Sequence, residues 1–301
     1  MYDIIGDVHG HADALEKLLN KLGYQKVDDI YSHENRKVIF LGDFIDRGPK
    51  VRETLAIVKA MMDAGNAFAV MGNPEFNFLC YNRKLEDGKY LRPHTSDNNH
   101  QVHATLEAFE GRKAELNKYL DWFLTLPLFL EMENFRVVHA CWKPDVIHEL
   151  KDELKNNRLN EGLLRKAGTK GAKLYDLVET TLKGLEVPAQ KPFKDTDGKT
   201  RNEARIKWWL NPEKLTQRDY FFRSNSTEPL TSELQKIWFY PKAEKPVFIG
   251  HYWKTGKIEL ESKNVCCVDY SIAKGGKLVA FRFNDNTDLS SDSFVWVDSD
   301  L

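Results

Sequence analysis

No apolar stretch among the 301 residues approaches the ~18–20 needed to carry a helix across a bilayer, so a helical membrane protein is not expected. Cysteine is scarce as well. Cys80, Cys141, Cys266 and Cys267 are the only four, and none forms a CxxC pair, which excludes zinc-ribbon and dithiol redox chemistry. Buried, reduced thiols are the expectation. An excess of charge of one sign is also missing. The formal net charge of -1 gives no global pull toward nucleic acid or a membrane surface. No charged and apolar leader precedes the first strand-like segment, so a cytoplasmic protein without a membrane partner is expected. Hydrophobic residues at 42% and charged residues at 30% suffice for a packed core rather than disorder.

The first half alternates two hydrophobic periods. Tyr2–Ile5, Lys37–Leu41 and Ala67–Met71 are short apolar runs, each ending at a glycine, and read as buried strands. Between them, Ala12–Leu22 and Val51–Met62 carry apolar residues at helical spacing. This βαβαβ order predicts parallel strands. Farther on, the pattern predicts a helix over 75–85, a polar loop over 87–99 and a long helix over 103–123. Paired strands come next at Phe129–Met132 and Phe135–Val138. A lysine-rich stretch over about 144–241 reads as a mostly helical insertion or cap, with a polar loop over 188–202. Strands resume at Pro246–Ile249, Asn264–Val268, Lys277–Phe283 and Phe294–Val297. One domain over 1–301, interrupted by an excursion, is therefore expected.

Several strands end in a residue type that binds metals: Asp7 with His9, then Asp43, Asn73, His139 and His251. The carboxyl edge of an open α/β sheet is where ligand sites form. Taken singly, Asp or Asn after Gly is an ordinary turn former. Taken together, imidazoles, carboxylates and one amide oxygen make a mixed N/O donor set suited to Mn, Fe or Zn. Six donors with one shared aspartate fit two ions.

The blocks GDVHG (6–10), GDFIDRGP (42–49), GNPE (72–75), VVHA (137–140) and GH (250–251) occur in this order along most of the chain. Their order resembles that of the calcineurin-like metallophosphoesterases, especially the branch of PPP-type serine/threonine phosphatases and diadenosine tetraphosphatases. The resemblance implies a four-layer α/β/β/α sandwich of two mixed sheets. It also implies two divalent transition metal ions, manganese foremost, with Fe, Zn, Ni and Co as the other candidates. Asp7 and His9 would hold the first ion, Asp43 would bridge, and Asn73, His139 and His251 would hold the second. Ions roughly 3.5–4 Å apart would hold and acidify a water for in-line attack on phosphorus. Arg47 would grip phosphate oxygens through its planar fork, Asp46 would assist catalysis, and Arg223 would be a second phosphate contact.

One position departs from the pattern. Relatives carry Gly-Asn-His-Glu where this chain has Pro74, and proline cannot protonate a leaving group. That leaves a changed leaving-group preference, a substitute acid such as His11, His94, His100 or His103, or weak catalysis. The implied partner is a small phosphorylated molecule, including nucleotide phosphoanhydrides and phosphodiesters, or a phosphoprotein; a nucleic-acid end stays undecided. A phosphate- or nucleotide-binding protein of low activity is the competing reading. Arg201, Arg205, Lys207, Trp208 and Trp209 interleave base and aromatic. Docking of the tryptophans on the main domain is the plainer expectation, and stacking on a nucleobase the other.

Overall fold

The computed structural model describes residues 1–195, 198, 200–284 and 288–299. β1 (Tyr2–Ile5) runs into Gly6, and α1 (Ala12–Lys21) buries Leu15, Leu18 and Leu19 along one stripe. β2 (Gln25–Val27) and β3 (Ile30–Ser32) form a small hairpin turned by Asp28 and Asp29 in left-handed backbone. Then come β4 (Lys37–Phe40), α2 (Val51–Asp63) and β5 (Ala67–Ala69), and β1, β4 and β5 pair in parallel as their alternation with helices predicts.

α3 (Asn73–Asn82) opens on Pro74, which suits a first helical turn. The segment expected as loop then helix is divided differently. α4 (Ser96–Ala108) starts earlier than the pattern suggests, because the Thr95 hydroxyl caps it by accepting from the Asn98 N–H at 3.2 Å. Gly111, at φ 70°, breaks the helix before α5 (Lys113–Phe123). β6 (Phe129–Glu131) and β7 (Arg136–Val138) form the expected antiparallel pair.

The 144–241 stretch carries its longer helices only as far as residue 183, through α6 (Pro144–Glu153), α7 (Glu161–Ala167) and α8 (Lys173–Lys183). Beyond α8, the expectation of a loop over 188–202 is corrected. β8 (Glu186–Lys194) and β9 (Thr200–Arg205) form a hairpin there; residues 196, 197 and 199 lie outside the described ones. Pro188 and Pro192 disguised the strand, since proline removes a ladder donor, and the register slips between Pro188 and Phe193. After the single turn of α9 (Gln217–Tyr220) come β10 (Val247–Ile249), β11 (Val265–Cys267), β12 (Asp269–Tyr270), β13 (Lys277–Phe283) and β14 (Phe294–Asp298).

Two mixed sheets result. One has the order β12-β13-β1-β4-β5 with β14 beside β13, the other β11-β10-β7-β6. Alternation along each strand sorts the side chains between two cores. Ile4, Ile39, Leu41 and Val70 meet Phe135, Val137, Phe248 and Cys266 between the sheets. Ile5, Val38 and Phe40 turn the other way, to Leu15, Leu18, Leu55 and Val58 of α1 and α2. Val138, Val247, Ile249 and Cys267 turn outward on the second sheet, in the cluster that holds Leu150, Val178 and Leu182 of α6 and α8. Helix, sheet, sheet, helix is the four-layer α/β sandwich. All four cysteines are buried and free. No helix among the described residues is long and apolar enough to cross a membrane.

Candidate metal centre

β1 delivers Asp7, β4 delivers Asp43, the start of α3 delivers Asn73 and β7 delivers His139, so four segments end at one edge. Close packing there needs glycine. A Cβ on Gly6 would lie 2.1 Å from the Val268 carbonyl oxygen, and one on Gly250 would lie 2.1 Å from Asp7 Oδ1. The side chains themselves are aimed by unusual backbone. His9 (φ 45°), Asp43 (φ 54°), Asp46 (φ 67°), Arg47 (φ 67°) and His251 (φ 60°) all sit in the left-handed region, which costs a non-glycine residue on the order of 1–3 kcal/mol.

Hydrogen bonds determine which atoms face inward. His9 Nδ1 lies 2.9 Å from the Ile45 carbonyl, and His139 Nδ1 lies 2.7 Å from the Leu41 carbonyl. A carbonyl only accepts, so Nδ1 carries a proton in both rings and Nε2 is the atom each ring turns toward the cluster. Both Nε2 atoms face oxygen acceptors. His9 Nε2 is 3.2 Å from Asp43 Oδ2, His139 Nε2 is 3.1 Å from Asp43 Oδ1, and Asn73 Oδ1 is 3.1 Å from His139 Nε2. Donor atoms of Asp7, His9 and Asp43 lie within 4.8 Å of one another. Asp7 Oδ1 is buried with no donor facing it among the described residues. Imidazole nitrogens and carboxylate and amide oxygens converging in a buried place are what a cation satisfies, so this donor set fits a metal.

Electrostatics point the same way. Burial, then the Asp269 and Asp43 carboxylates, push Asp7 well above the usual carboxylate range. Asp43 is held below it: burial opposes ionisation, but His139, His9 and Arg47 together outweigh burial. His251 belongs to the same cluster, its ring 5.2 Å from that of His139 and its N–H 3.2 Å from Asp7 Oδ2. Burial first, then Arg205, pushes its pKa well below the usual imidazole value. Its Nε2 accepts from Arg205 Nη1 at 2.7 Å.

Asp46 and Arg47 lie just outside this cluster. Asp46 is buried, its carboxylate accepts from the Thr105 hydroxyl, and its own N–H donates back to Thr105 Oγ1 at 3.0 Å. Burial pushes its pKa up to about 6. Arg47 is exposed, at the rim of a cavity of about 370 Å³ that Asn73 and Pro74 also line. Arg223 is placed elsewhere, on a second cavity of about 500 Å³ beneath the β8–β9 hairpin, with its guanidinium 5.4 Å from the Trp253 ring. Arg205 lines that cavity too and connects it to His251.

Of the other candidates, His94 is sandwiched between Tyr81 and Tyr90 with ring centroids 3.8 and 3.9 Å away, a packing role. Trp208 and Trp209 are buried, Trp208 donating to the Ala140 carbonyl at 3.0 Å, so the docking expectation holds and stacking on a base does not.

Two residues escaped the sequence reading, Asp269 and Glu75, and one was read for another role. Asp269 is buried beside Asp7, and its signal was only an acid closing the run Val265–Val268. Arg205 was read only as one base of the 201–209 cluster, and nothing local marks it as the partner of His251. Glu75, fully buried, accepts from the N–H groups of Asp43 at 2.9 Å, Phe44 at 2.8 Å and Gly72 at 3.0 Å, and so ties two ligand-bearing loops together. Its place three residues after the Gly72 cap was a legible capping signal.

Comparison with known proteins agrees on the family. The calcineurin-like phosphoesterase family matches residues 2–170. The bis(5'-nucleosyl)-tetraphosphatase PrpE [asymmetrical] of Oceanobacillus iheyensis is 33% identical over 139 residues, 46% of this chain and 54% of that one. The chain thus spans about half the length of that relative. The symmetrical bis(5'-nucleosyl)-tetraphosphatase of Vibrio parahaemolyticus is 24% identical over 303 positions, 96% of this chain and 98% of that one. Among solved structures, a protein serine/threonine phosphatase from Saccharomyces cerevisiae aligns with a TM-score of 0.51 at 14% identity, covering 100% of this chain and 79% of that one. The likeness at that identity is one of fold.

Proposed function

The chain belongs to the calcineurin-like phosphoesterase family, and from that premise we propose that it is a dinuclear metal-dependent hydrolase of phosphate esters and nucleotide phosphoanhydrides. The observation that carries this reading is the convergence of ligand-type atoms on Asp43, with His9 on one carboxylate oxygen and His139 on the other. Asp7, His9 and Asp43 would hold one divalent ion, and Asp43, Asn73, His139 and His251 the other, with manganese the first choice. Bound ions supply positive charge beside the phosphate and make a coordinated water more acidic.

The chain's own groups do the rest. Arg47, at the cavity rim beside Asn73, forks onto two phosphate oxygens. Asp46, anchored by Thr105, fixes the turn that presents Arg47. Arg223 and Arg205 offer an anion contact on the far side of His251, where the remainder of an extended nucleotide substrate would lie. The relatives named as tetraphosphatases support a small dinucleoside polyphosphate as substrate. The helices and hairpin of 144–241 would wall the centre as part of one domain.

Metal addition comes first as a test. Manganese at a hundredfold excess over its Kd raises the unfolding free energy by about 2.7 kcal/mol, seen as a higher Tm of metal-stripped protein. No shift with Mn, Fe, Zn, Ni or Co would count against the centre. Activity is then measured on nitrophenyl phosphate, bis-nitrophenyl phosphate and a dinucleoside tetraphosphate, and turnover of at least one is expected. Metal-loaded protein that retains nucleotide yet cleaves none of the three would instead be a binding protein.

A further inference from the structure

The cavity in front of Asn73 and Arg47 has a wall that the phosphoesterase reading does not use. Pro74 lines it on the α3 side, and α4 contributes His100, His103 and Ala104. Resting on that reading, we propose that His100 is a catalytic residue that donates the proton to the leaving oxygen, the task Pro74 cannot perform.

α4 is held firmly enough for this role. Thr105 binds Asp46 through both its hydroxyl oxygen and its hydroxyl hydrogen, tethering the helix to the loop that carries Arg47. On the α3 side, Arg92 bridges Asn77 at 3.0 Å and Gln101 at 2.9 Å, and the Tyr81 hydroxyl reaches Asn99 at 2.9 Å. The residues on either side of His100 are therefore both fixed against α3, within which Pro74 lies. Arg47, Asn73, Pro74 and His100 line one cavity, so a phosphate gripped there by Arg47 would have its leaving group in the space that His100 also lines.

His100 is also the histidine left available. His103 Nε2 is 3.2 Å from the Glu107 carboxylate one turn on, and His94 is packed between two tyrosines. The His100 side chain makes no hydrogen bond or ion pair among the described residues. Ala104, four residues later on the same helix face, adds no bulk beside it. Asp46 and Arg47 are the charged groups that share the cavity. In the step, the attacking water oxygen forms the new bond to phosphorus after losing a proton to solvent. The bond from phosphorus to the leaving oxygen breaks, its electron pair stays on that oxygen, and the His100 imidazolium gives it a proton. Solvent then reprotonates the neutral imidazole, and no other reactant is needed.

The test compares leaving groups in metal-loaded, full-length protein. Nitrophenolate departs without a proton, whereas an alkoxide needs one. His100→Gln is expected to slow alkyl phosphate hydrolysis about 10²-fold and to leave nitrophenyl phosphate within about threefold. Pro74→His placed in the His100→Gln background restores alkyl phosphate turnover. Equal losses on both substrates that Pro74→His does not reverse overturn the proposal, as does a selective loss in His103→Gln rather than His100→Gln. Wild-type protein inert on these substrates and on the dinucleoside tetraphosphate sinks the phosphoesterase reading and this inference with it, whereas wild type that cleaves the tetraphosphate or a nitrophenyl ester but no alkyl phosphate sinks this inference alone. Active protein whose leaving-group preference ignores His100 sinks this inference alone.

Discussion

Asp43→Asn lowers kcat/KM on bis-nitrophenyl phosphate about 10³-fold, or about 4 kcal/mol of transition-state stabilisation, and bound metal falls with it. The substitution is isosteric, so packing is preserved and the effect isolates charge. In the proposed centre Asp43 would serve both halves, with Oδ2 toward His9 and Oδ1 toward His139. His139, His9 and Arg47 hold it ionised despite full burial. An amide removes that charge and turns an N–H₂ into the position a cation would take. Loss of a group that merely orients a ligand costs about 10–100-fold; loss of the shared ligand should exceed it. Metal analysis alongside kinetics decides the matter, because full metal occupancy with activity within tenfold of wild type would remove Asp43 from the centre.

Glu75→Ala is expected to act through the fold instead. Four backbone N–H groups, those of Gly72, Asp43, Phe44 and Ile45, lose their acceptor in a place water does not reach. Each buried orphan costs about 1–3 kcal/mol, so about 4–12 kcal/mol is at stake in a stability of roughly 5–15 kcal/mol. Tm should drop on the order of 10 °C. Glu75→Gln keeps one acceptor oxygen but turns its N–H₂ toward a donor, and lies between wild type and alanine. The drop should appear in metal-stripped protein, where Asp43→Asn leaves Tm near wild type. A Glu75→Ala protein melting within 2 °C of wild type, the shift of roughly 1 kcal/mol, would show that these loops hold themselves.

How far such features were readable depended on how local their causes are. Tyr2–Ile5, Lys37–Phe40 and Ala67–Ala69 are apolar runs stopped by glycine or a polar turn, and a strand in a buried parallel sheet has that pattern by necessity. The residues after them could be named as a set because each is a neighbour of its strand end. What could not be read is geometry set by distant partners. Nothing near His9 or His139 in sequence announces that Ile45 and Leu41 carbonyls orient their rings. Asp269 meets Asp7 across most of the chain's length, and its own neighbourhood looks like the end of any apolar strand. α4 was obscured because only Val102 and Thr105 are buried along it, too few for a helical stripe to stand out. The β8–β9 hairpin was hidden by its prolines and by side chains that are mostly exposed.

The position of β1 in the sheet has a consequence for how the chain comes into being. On one side it pairs with β4, Tyr2 opposite Lys37, and on the other with β13, Tyr2 opposite Phe283. During synthesis the first partner follows almost at once, while the second comes only after the long stretch between Lys37 and Lys277. At about 5–20 residues per second, the nascent chain waits on the order of tens of seconds with one flank of β1 open. Such a bare strand edge invites pairing with other chains. Asp269 and His251, which stand against Asp7, arrive on the same late schedule. The proposed metal site is therefore complete only once β13 is made, and slow translation or truncation ahead of Lys277 should favour aggregation over a half-formed centre.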